Sequence, residues 1–326
     1  MKNKKELITL FYRKKREGVN SIETVFDSLT SLSDHHRLSV PREGSSIKSI
    51  LKNLSFAYKN KSKINHITGD IHYIALALGR NTVLTIHDVG SALNSKGLKR
   101  AMIRLLWFTI PALIVKKITV ISQFTKDELI KIVPFAKNKI VVIHNSFNPI
   151  TTFDKREFNN QQPVILHIGT KSNKNLERVI DAIAELKCAL VILGKLSEQQ
   201  KEKLSKSNIH YKALYDISYP KVMELYKECD IVSFPSLYEG FGLPVLEANA
   251  VGRVIIAGGI QALREVANDS AYFVDPYSVN SIRDGFKRVI EDENLRANLI
   301  DRGVVNIKRF SEQEISNKYN QLYQTL

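Results

Sequence analysis

The sequence predicts an α/β protein built from two doubly wound parallel sheets. Short apolar runs alternate with segments that carry apolar residues at helical spacing, the pattern of strand–helix–strand units. The alternation stops at a polar stretch and then restarts. A chain of 326 residues also suits two domains of ordinary size better than one. In the first half, strands are expected over 7–12, 37–40, 64–68, 82–86, 117–121 and 140–143, with helices over 21–32, 46–59, 71–78, 97–108 and 126–133. The stretch 148–162 (NPITTFDKREFNNQQ) has little apolar periodicity and reads as the linker between a first domain over 1–150 and a second over 163–326. The second half repeats the pattern, with strands over 164–168, 189–193, 209–213, 231–234, 253–257 and 272–274 and helices over 175–187, 198–205, 219–229, 244–250, 262–267 and 279–292. The closing stretch 293–326 is helical by pattern, and its last helix can pack back on the first domain.

Composition narrows the class. Hydrophobic residues make up 44% and charged residues 25%, which excludes collagen-like, mucin-like and mainly disordered chains. Cys188 and Cys229 stand in apolar stretches without metal-ligand spacing, so they are expected to be reduced core thiols of a cytosolic protein. Net charge is +15, and it is unevenly spread. Residues 1–150 hold 25 Lys+Arg against 10 Asp+Glu, while residues 151–326 hold 23 of each. That asymmetry fits an anionic partner of the first half, either nucleic acid or an acidic lipid surface; a basic surface kept for solubility is the plainer alternative. The start, MKNKKELITLFYRKKREG, has too short an apolar run and no small-residue cleavage site to be a secretory signal. The longest apolar stretch, 105–115 (LLWFTIPALIV), is about half the ~20 residues a spanning helix needs, so no membrane span is expected.

The most informative segment is 234–250, FPSLYEGFGLPVLEANA. A buried strand ends at Pro235, a loop holds Gly240 and Gly242, and Pro244 takes a first-turn helix position. Backbone N–H groups of Phe241, Gly242 and Leu243 are thereby expected at a helix N-terminus, where they suit a phosphate. Glu239 precedes that site and Glu247 follows it by one helical turn. Alone, Glu247 could simply complement the helix dipole.

These residues resemble the paired-glutamate motif of retaining GT-B glycosyltransferases of family four, of the bacterial surface-polysaccharide type. The resemblance implies two Rossmann-like domains facing across a cleft, a nucleotide-sugar donor on the second domain and an acceptor on the first. It assigns Glu239 to the transferred sugar and Glu247 to the ribose. His167–Leu176 (HIGTKSNKNL) is similar to the family's phosphate loop, which brings in Gly169, Thr170, Lys171 and Lys174, with Lys174 as the cation on the diphosphate. Thr170 stands where many members carry Arg, so Lys171 is the residue that could replace that charge. Ile217 would border the nucleobase, and Glu265 and Asp275-Pro276 match later landmarks. Val254 stands where the family usually has proline. In the first half, His87 resembles the interdomain histidine that touches the transferred sugar, and Gly18 lies in a glycine-containing loop near donor and acceptor. Asn20 with Glu23 also reads as a simple helix cap there. Asp70 and His72 could line the acceptor pocket.

The implied chemistry is transfer of a sugar to a saccharide or lipid-linked saccharide. No acidic motif of the metal–diphosphate type is seen and no cofactor is expected, so helix N–H groups and lysines would neutralise the leaving diphosphate. No second-face carboxylate nucleophile suggests itself, which favours same-face attack. The stretch 96–117 sets Lys96, Lys99, Arg100, Arg104, Lys116 and Lys117 beside Leu105, Leu106, Trp107 and Phe108, read as exposed aromatics on a helix lying on an anionic membrane. The resulting expectation is a cytoplasmic enzyme, peripheral on the inner face of the membrane, with no nucleic acid partner. A nucleotide-sugar epimerase and a nucleic-acid-binding protein are the alternatives.

Overall fold

Two six-stranded sheets form, and every strand pairing in them is parallel. The computed structural model describes residues 8–14, 25–27, 29, 31–33, 35–44, 46–90, 96–147 and 152–326. The first sheet holds β1 (Ile8–Tyr12), β2 (His35–Ser39), β3 (Ile64–Ile67), β4 (Thr82–Ile86), β5 (Lys117–Val120) and β6 (Ile140–Val142), in the order β2-β1-β3-β4-β5-β6. The second holds β7 (Val164–Ile168), β8 (Ala189–Leu193), β9 (His210–Leu214), β10 (Ile231–Phe234), β11 (Val254–Gly258) and β12 (Tyr272–Val274), in the order β12-β11-β10-β7-β8-β9. This second order is the doubly wound one: the chain winds outward from β7 in one direction and from β10 in the other. In the first sheet the reversal falls between β1 and β3.

The inner strands of a parallel sheet are covered on both faces, which is why β1, β3, β4 and β10 are buried at every position and read as largely apolar runs, β3 carrying the buried polar Asn65 and His66. β2 pairs with β1 at the sheet edge and is polar and partly exposed (HHRLS), so it begins two residues before the run expected from apolarity.

The chain divides into two compact units, one ending at Ser146 and resuming over Phe310–Leu326, the other Phe147–Arg309. The closing helix Glu312–Gln324 therefore belongs with the first sheet. Its Ile315, Tyr319, Leu322 and Tyr323 join Ile8, Leu10, Phe26 and Leu29 in one apolar core. The hydroxyl of Tyr323 lies 2.6 Å from Nδ1 of His66 on β3, whose Nε2 lies 2.7 Å from Thr85 Oγ1. The described part of the stretch read as the linker is packed on the second unit. Buried Arg253 donates to the Asp154 carboxylate at 2.7 Å, and Asp230 accepts from the N–H groups of Asn159 and Val164.

Over 97–114 the backbone is helical throughout but changes register. Gly97–Ile103 is α, Arg104–Thr109 is π and Ile110–Ile114 is α again. Pro111 has no N–H to give the carbonyl of Trp107 four residues earlier. His72 Nδ1 takes that carbonyl instead, at 2.7 Å. The register change corrects the expected exposed aromatics: Phe108 is buried, and Trp107 is half-buried with its indole N–H donated to Asp70 O at 2.8 Å. Among the described residues no helix is long and apolar enough to cross a membrane. Cys188 and Cys229 are free and buried, their thiol pKa values pushed up by burial to about 11 and about 12.

Burial holds His66 and His167 neutral, their pKa values lowered to about 3, and His72 to about 4. In the unfolded chain these imidazoles protonate near pH 6.5. Their contribution to stability is thus complete above that pH and is lost as pH falls from 6.5 toward 4. Each costs about 1.4 kcal/mol per pH unit in that window. Urea midpoints measured at pH 7 and pH 5 are expected to fall markedly on acidification; equal midpoints would contradict neutral burial.

Candidate functional site

In the second unit the site forms at the reversal between β7 and β10, where ligands bind in doubly wound sheets. The β7 loop starts with Gly169, which has φ +89° and donates its N–H to Leu193 O at 2.8 Å. A Cβ there would lie 2.8 Å from Cγ of Lys174, so the glycine gives the lysine stem its path. Asn175, buried and left-handed at φ 68°, opens the helix Leu176–Ile183. Its amide donates to Pro235 O at 3.0 Å and Pro276 O at 2.7 Å, joining the loops after β7, β10 and β12. Asn173 adds a second tie: its carbonyl accepts from the Leu237 N–H at 2.8 Å, and its amide donates to Tyr238 O at 3.0 Å.

These ties bring Lys174 and Glu239 together. Lys174 Nζ donates to Glu239 Oε1 at 2.6 Å, with both side chains largely shielded, and stands 4.7 Å from the centre of the Phe234 ring. The β10 loop then enters the helix Leu243–Val251 through Gly242. Gly242 has φ +119°, and a Cβ would sit 2.5 Å from Leu263 Cδ2, so neither the backbone nor the packing admits a side chain. Pro244 in the first turn has no N–H to satisfy, and Val245 N–H turns back to Gly242 O at 3.0 Å. The first N–H groups of this helix begin where the phosphate was expected.

Glu247 is buried on that helix. Tyr226 OH, from the helix Tyr219–Glu228, donates to its Oε2 at 2.6 Å. Burial raises the Glu247 pKa, while hydrogen bonds from Tyr226 and Tyr219 and the charge of Lys174 pull it back. Thr170 is turned to structure: its hydroxyl donates to Lys195 O at 2.7 Å and its carbonyl accepts from the Gln200 amide at 2.8 Å. Lys171 is exposed beside it, and Ile217 is half-buried two residues before Tyr219. The Asp275 carboxylate accepts from the Tyr277 N–H at 2.9 Å, closing the turn after β12. Tyr226, Asn173 and Asn175 went unnoticed in the sequence. The last carried a signal, since Asn before a helix tolerates the left-handed conformation better than other side chains.

In the first unit His87 follows β4 and is partly buried. Its Nε2 lies 2.8 Å from Thr68 O, so that nitrogen carries the proton and Nδ1 is left as an acceptor. Burial lowers its pKa, keeping it neutral. Thr68 in turn donates its hydroxyl to Phe11 O at 3.0 Å, which ties together the ends of β1, β3 and β4. Beside them opens a cavity of about 760 Å³. Arg13, Asp70, His72, His87, Asp88 and Lys99 form its polar part, with Arg13 and Asp70 3.6 Å apart. Asp70 and His72 thus do line a pocket with His87. Gly18, with the 16–21 loop, lies outside the described residues.

Comparison with known proteins bears on both units. The family described as Glycosyltransferase Family 4 matches residues 22–149, and Glycosyl transferases group 1 matches residues 150–304. A glycosyltransferase of Methanocaldococcus jannaschii is 25% identical over 216 residues, 64% of this chain and 60% of that one. The O-antigen chain mannosyltransferase RfbU of Salmonella typhimurium is 24% identical over 66% of this chain and 62% of its own. The N,N'-diacetylbacillosaminyl-diphospho-undecaprenol α-1,3-N-acetylgalactosaminyltransferase of Campylobacter jejuni is 24% identical over 73% of this chain and 69% of its own. The chain thus spans about three fifths of the length of the first of these relatives. Among solved structures, Anabaena HepE in complex with UDP superposes with a TM-score of 0.73 at 14% identity, covering 99% of this chain and 100% of that one. That likeness carries the GT-B fold. Together the two family matches span residues 22–304, and the chain belongs to the GT-B glycosyltransferases that join a Glycosyltransferase Family 4 domain to a Glycosyl transferases group 1 domain.

Proposed function

We propose that the protein is a retaining glycosyltransferase. It moves a sugar from a nucleotide diphosphate sugar to a lipid-linked saccharide in the assembly of a cell-surface polysaccharide or lipopolysaccharide, on the cytoplasmic face of a membrane. The Lys174–Glu239 pair at the reversal of the second sheet carries this reading. In the free protein cation and carboxylate satisfy one another. An arriving donor separates them: the diphosphate takes Lys174 and the N-terminus of the helix Leu243–Val251, and Glu239 turns to the sugar. Breaking the anomeric C–O bond moves negative charge onto the diphosphate, where the ammonium and the helix N–H groups stabilise it without a metal ion. Positive charge grows on the sugar ring, where Glu239 stabilises it. The acceptor hydroxyl attacks from the same face and passes its proton to the departing phosphate oxygen.

Glu247 holds the ribose hydroxyls, Gly169 and Lys171 border the phosphates, and Ile217 borders the base. Thr170 borders them through its backbone, its hydroxyl being spent on Lys195 O. His87 offers its bare Nδ1 to a sugar hydroxyl. The names of RfbU and of the Campylobacter transferase support the O-antigen and diphospho-lipid side of this reading, and UDP on HepE supports the donor. The test is incubation with UDP- and GDP-sugars and membrane lipid extract, with and without chelator, followed by NMR of the product. Nucleotide release with the donor's anomeric configuration kept is expected in both. An inverted product, an isomerised donor or dependence on added metal would each refute the corresponding part.

A further inference from the structure

The first unit carries a feature that donor chemistry does not explain. On the helix Ile47–Lys59, Ile47 is 79% exposed, Leu51 61% and Tyr58 62%, all on one face apart from the buried Asn53 and Ala57. On the helical run from Gly97, Leu98 is 78% exposed, Met102 52% and Leu105 50%, again at helical spacing. Single exposed leucines are ordinary, but two stripes of them are not. Both stripes reach the same cavity, since Ile47, Leu98 and Met102 line its apolar wall.

Charge sets these segments apart as well. Residues 44–69 contain five lysines and no acidic residue, and residues 89–126 contain seven Lys+Arg and again no acidic residue. Lys48 and Lys52 are exposed beside the first stripe, and Lys96 and Lys99 beside the second. Nucleic acid would call for the cations without the apolar side chains, and a protein groove would not call for so uniform a charge. Apolar side chains in a field of lysines match the layering of an anionic bilayer, acyl chains beneath and phosphates above.

We propose that these two helices form one rim that inserts Ile47, Leu51, Leu98, Met102 and Leu105 into an anionic membrane, with the flanking lysines on the lipid phosphates. The cavity mouth then opens in the headgroup layer. Resting on the acceptor reading above, a lipid-linked saccharide reaches Asp70, His72 and His87 while its lipid stays in the bilayer. The surface extends beyond the stretch 96–117, because half of it is the helix Ile47–Lys59.

Trp107 is the sole tryptophan of the chain and lines this cavity, so its fluorescence reports on this place alone. The full-length protein is mixed with vesicles of phosphatidylglycerol carrying bromine on the acyl chains, and with brominated phosphatidylcholine vesicles. Quenching of Trp107 by the anionic vesicles is expected, with little by the neutral ones. Leu98→Asp and Met102→Asp change exposed side chains, and each is expected to weaken vesicle binding roughly tenfold or more. Lys48→Glu and Lys52→Glu are each expected to weaken it roughly fivefold. Vesicle binding without quenching overturns the inserted rim, and so does binding that the lysine variants lower and the aspartate variants do not. Calorimetric titration of the same protein with UDP and GDP reads the donor site separately. Nucleotide binding with no quenching overturns the rim alone; quenching with no nucleotide binding overturns the donor reading and leaves the rim standing.

Discussion

Replacing Glu239 with alanine is expected to lower sugar transfer by on the order of 10²–10³-fold while the nucleotide diphosphate binds as well as before or better. The direction of both effects follows from the 2.6 Å contact with Lys174. The pair is largely shielded from solvent, so its two charges interact more strongly than they would in water. On the proposed donor site, a diphosphate that binds must first draw Lys174 away from Glu239. Without the carboxylate that competition disappears and the lysine is available at once. The sugar, by contrast, loses the group that meets the positive charge on its ring, and that loss is felt in the transition state more than in the ground state. A fall in kcat with an unchanged or lower Kd for the free nucleotide is the expected signature. Lys174→Ala is expected to give the opposite split, weakening the nucleotide first, because it leaves a shielded carboxylate unpaired where the diphosphate should sit. Steady-state kinetics beside calorimetry separates the two variants. Unchanged turnover in Glu239→Ala would remove the residue from the chemistry.

The parts of this picture that were legible in the sequence are those written in local patterns. Strands covered on both faces leave continuous apolar runs, so the sheets could be traced from composition along the chain. Gly242 and Pro244 each answer a local demand, a left-handed turn and a first helical position without a donor. The contact between Lys174 and Glu239 is different in kind. It depends on Asn173 and Asn175 tying two loops some sixty residues apart, and no spacing rule reports such a tie. The helical pattern of 293–326 allowed the last helix to pack back on the first domain, where Phe310–Leu326 does lie, but the contacts that hold it there were not legible. What draws the closing helix to the first sheet is the burial of Tyr319 and Tyr323, with the Tyr323 hydroxyl on His66, and an amphipathic helix does not name its partner in advance. The aromatics at 107 and 108 were misplaced because α periodicity was carried along the expected helix 97–108, whereas the backbone over Arg104–Thr109 is π and rotates the face.

If Glu247 holds the ribose as proposed, Tyr226 bears on the donor through it, and the phenylalanine variant is expected to separate that role from plain packing. The carboxylate is buried, which raises its pKa, and the Tyr226 hydroxyl is the first of the groups that pull it down. Only the ionised form can accept from both ribose hydroxyls. Removing the hydroxyl therefore lifts the Glu247 pKa further, and the acid limb of the donor KM moves to higher pH with kcat on the plateau unchanged. Glu247→Ala abolishes the interaction altogether, with donor affinity falling roughly 10²-fold for two hydrogen bonds to a charged acceptor. The control uses deoxyribose nucleotides. The native protein should prefer the ribonucleotide by a comparable factor, and Glu247→Ala should show almost no preference, because the group that reads the hydroxyl is gone. A variant that still distinguishes the two sugars would assign ribose recognition to another side chain. An unmoved acid limb in Tyr226→Phe would reduce Tyr226 to a member of the core.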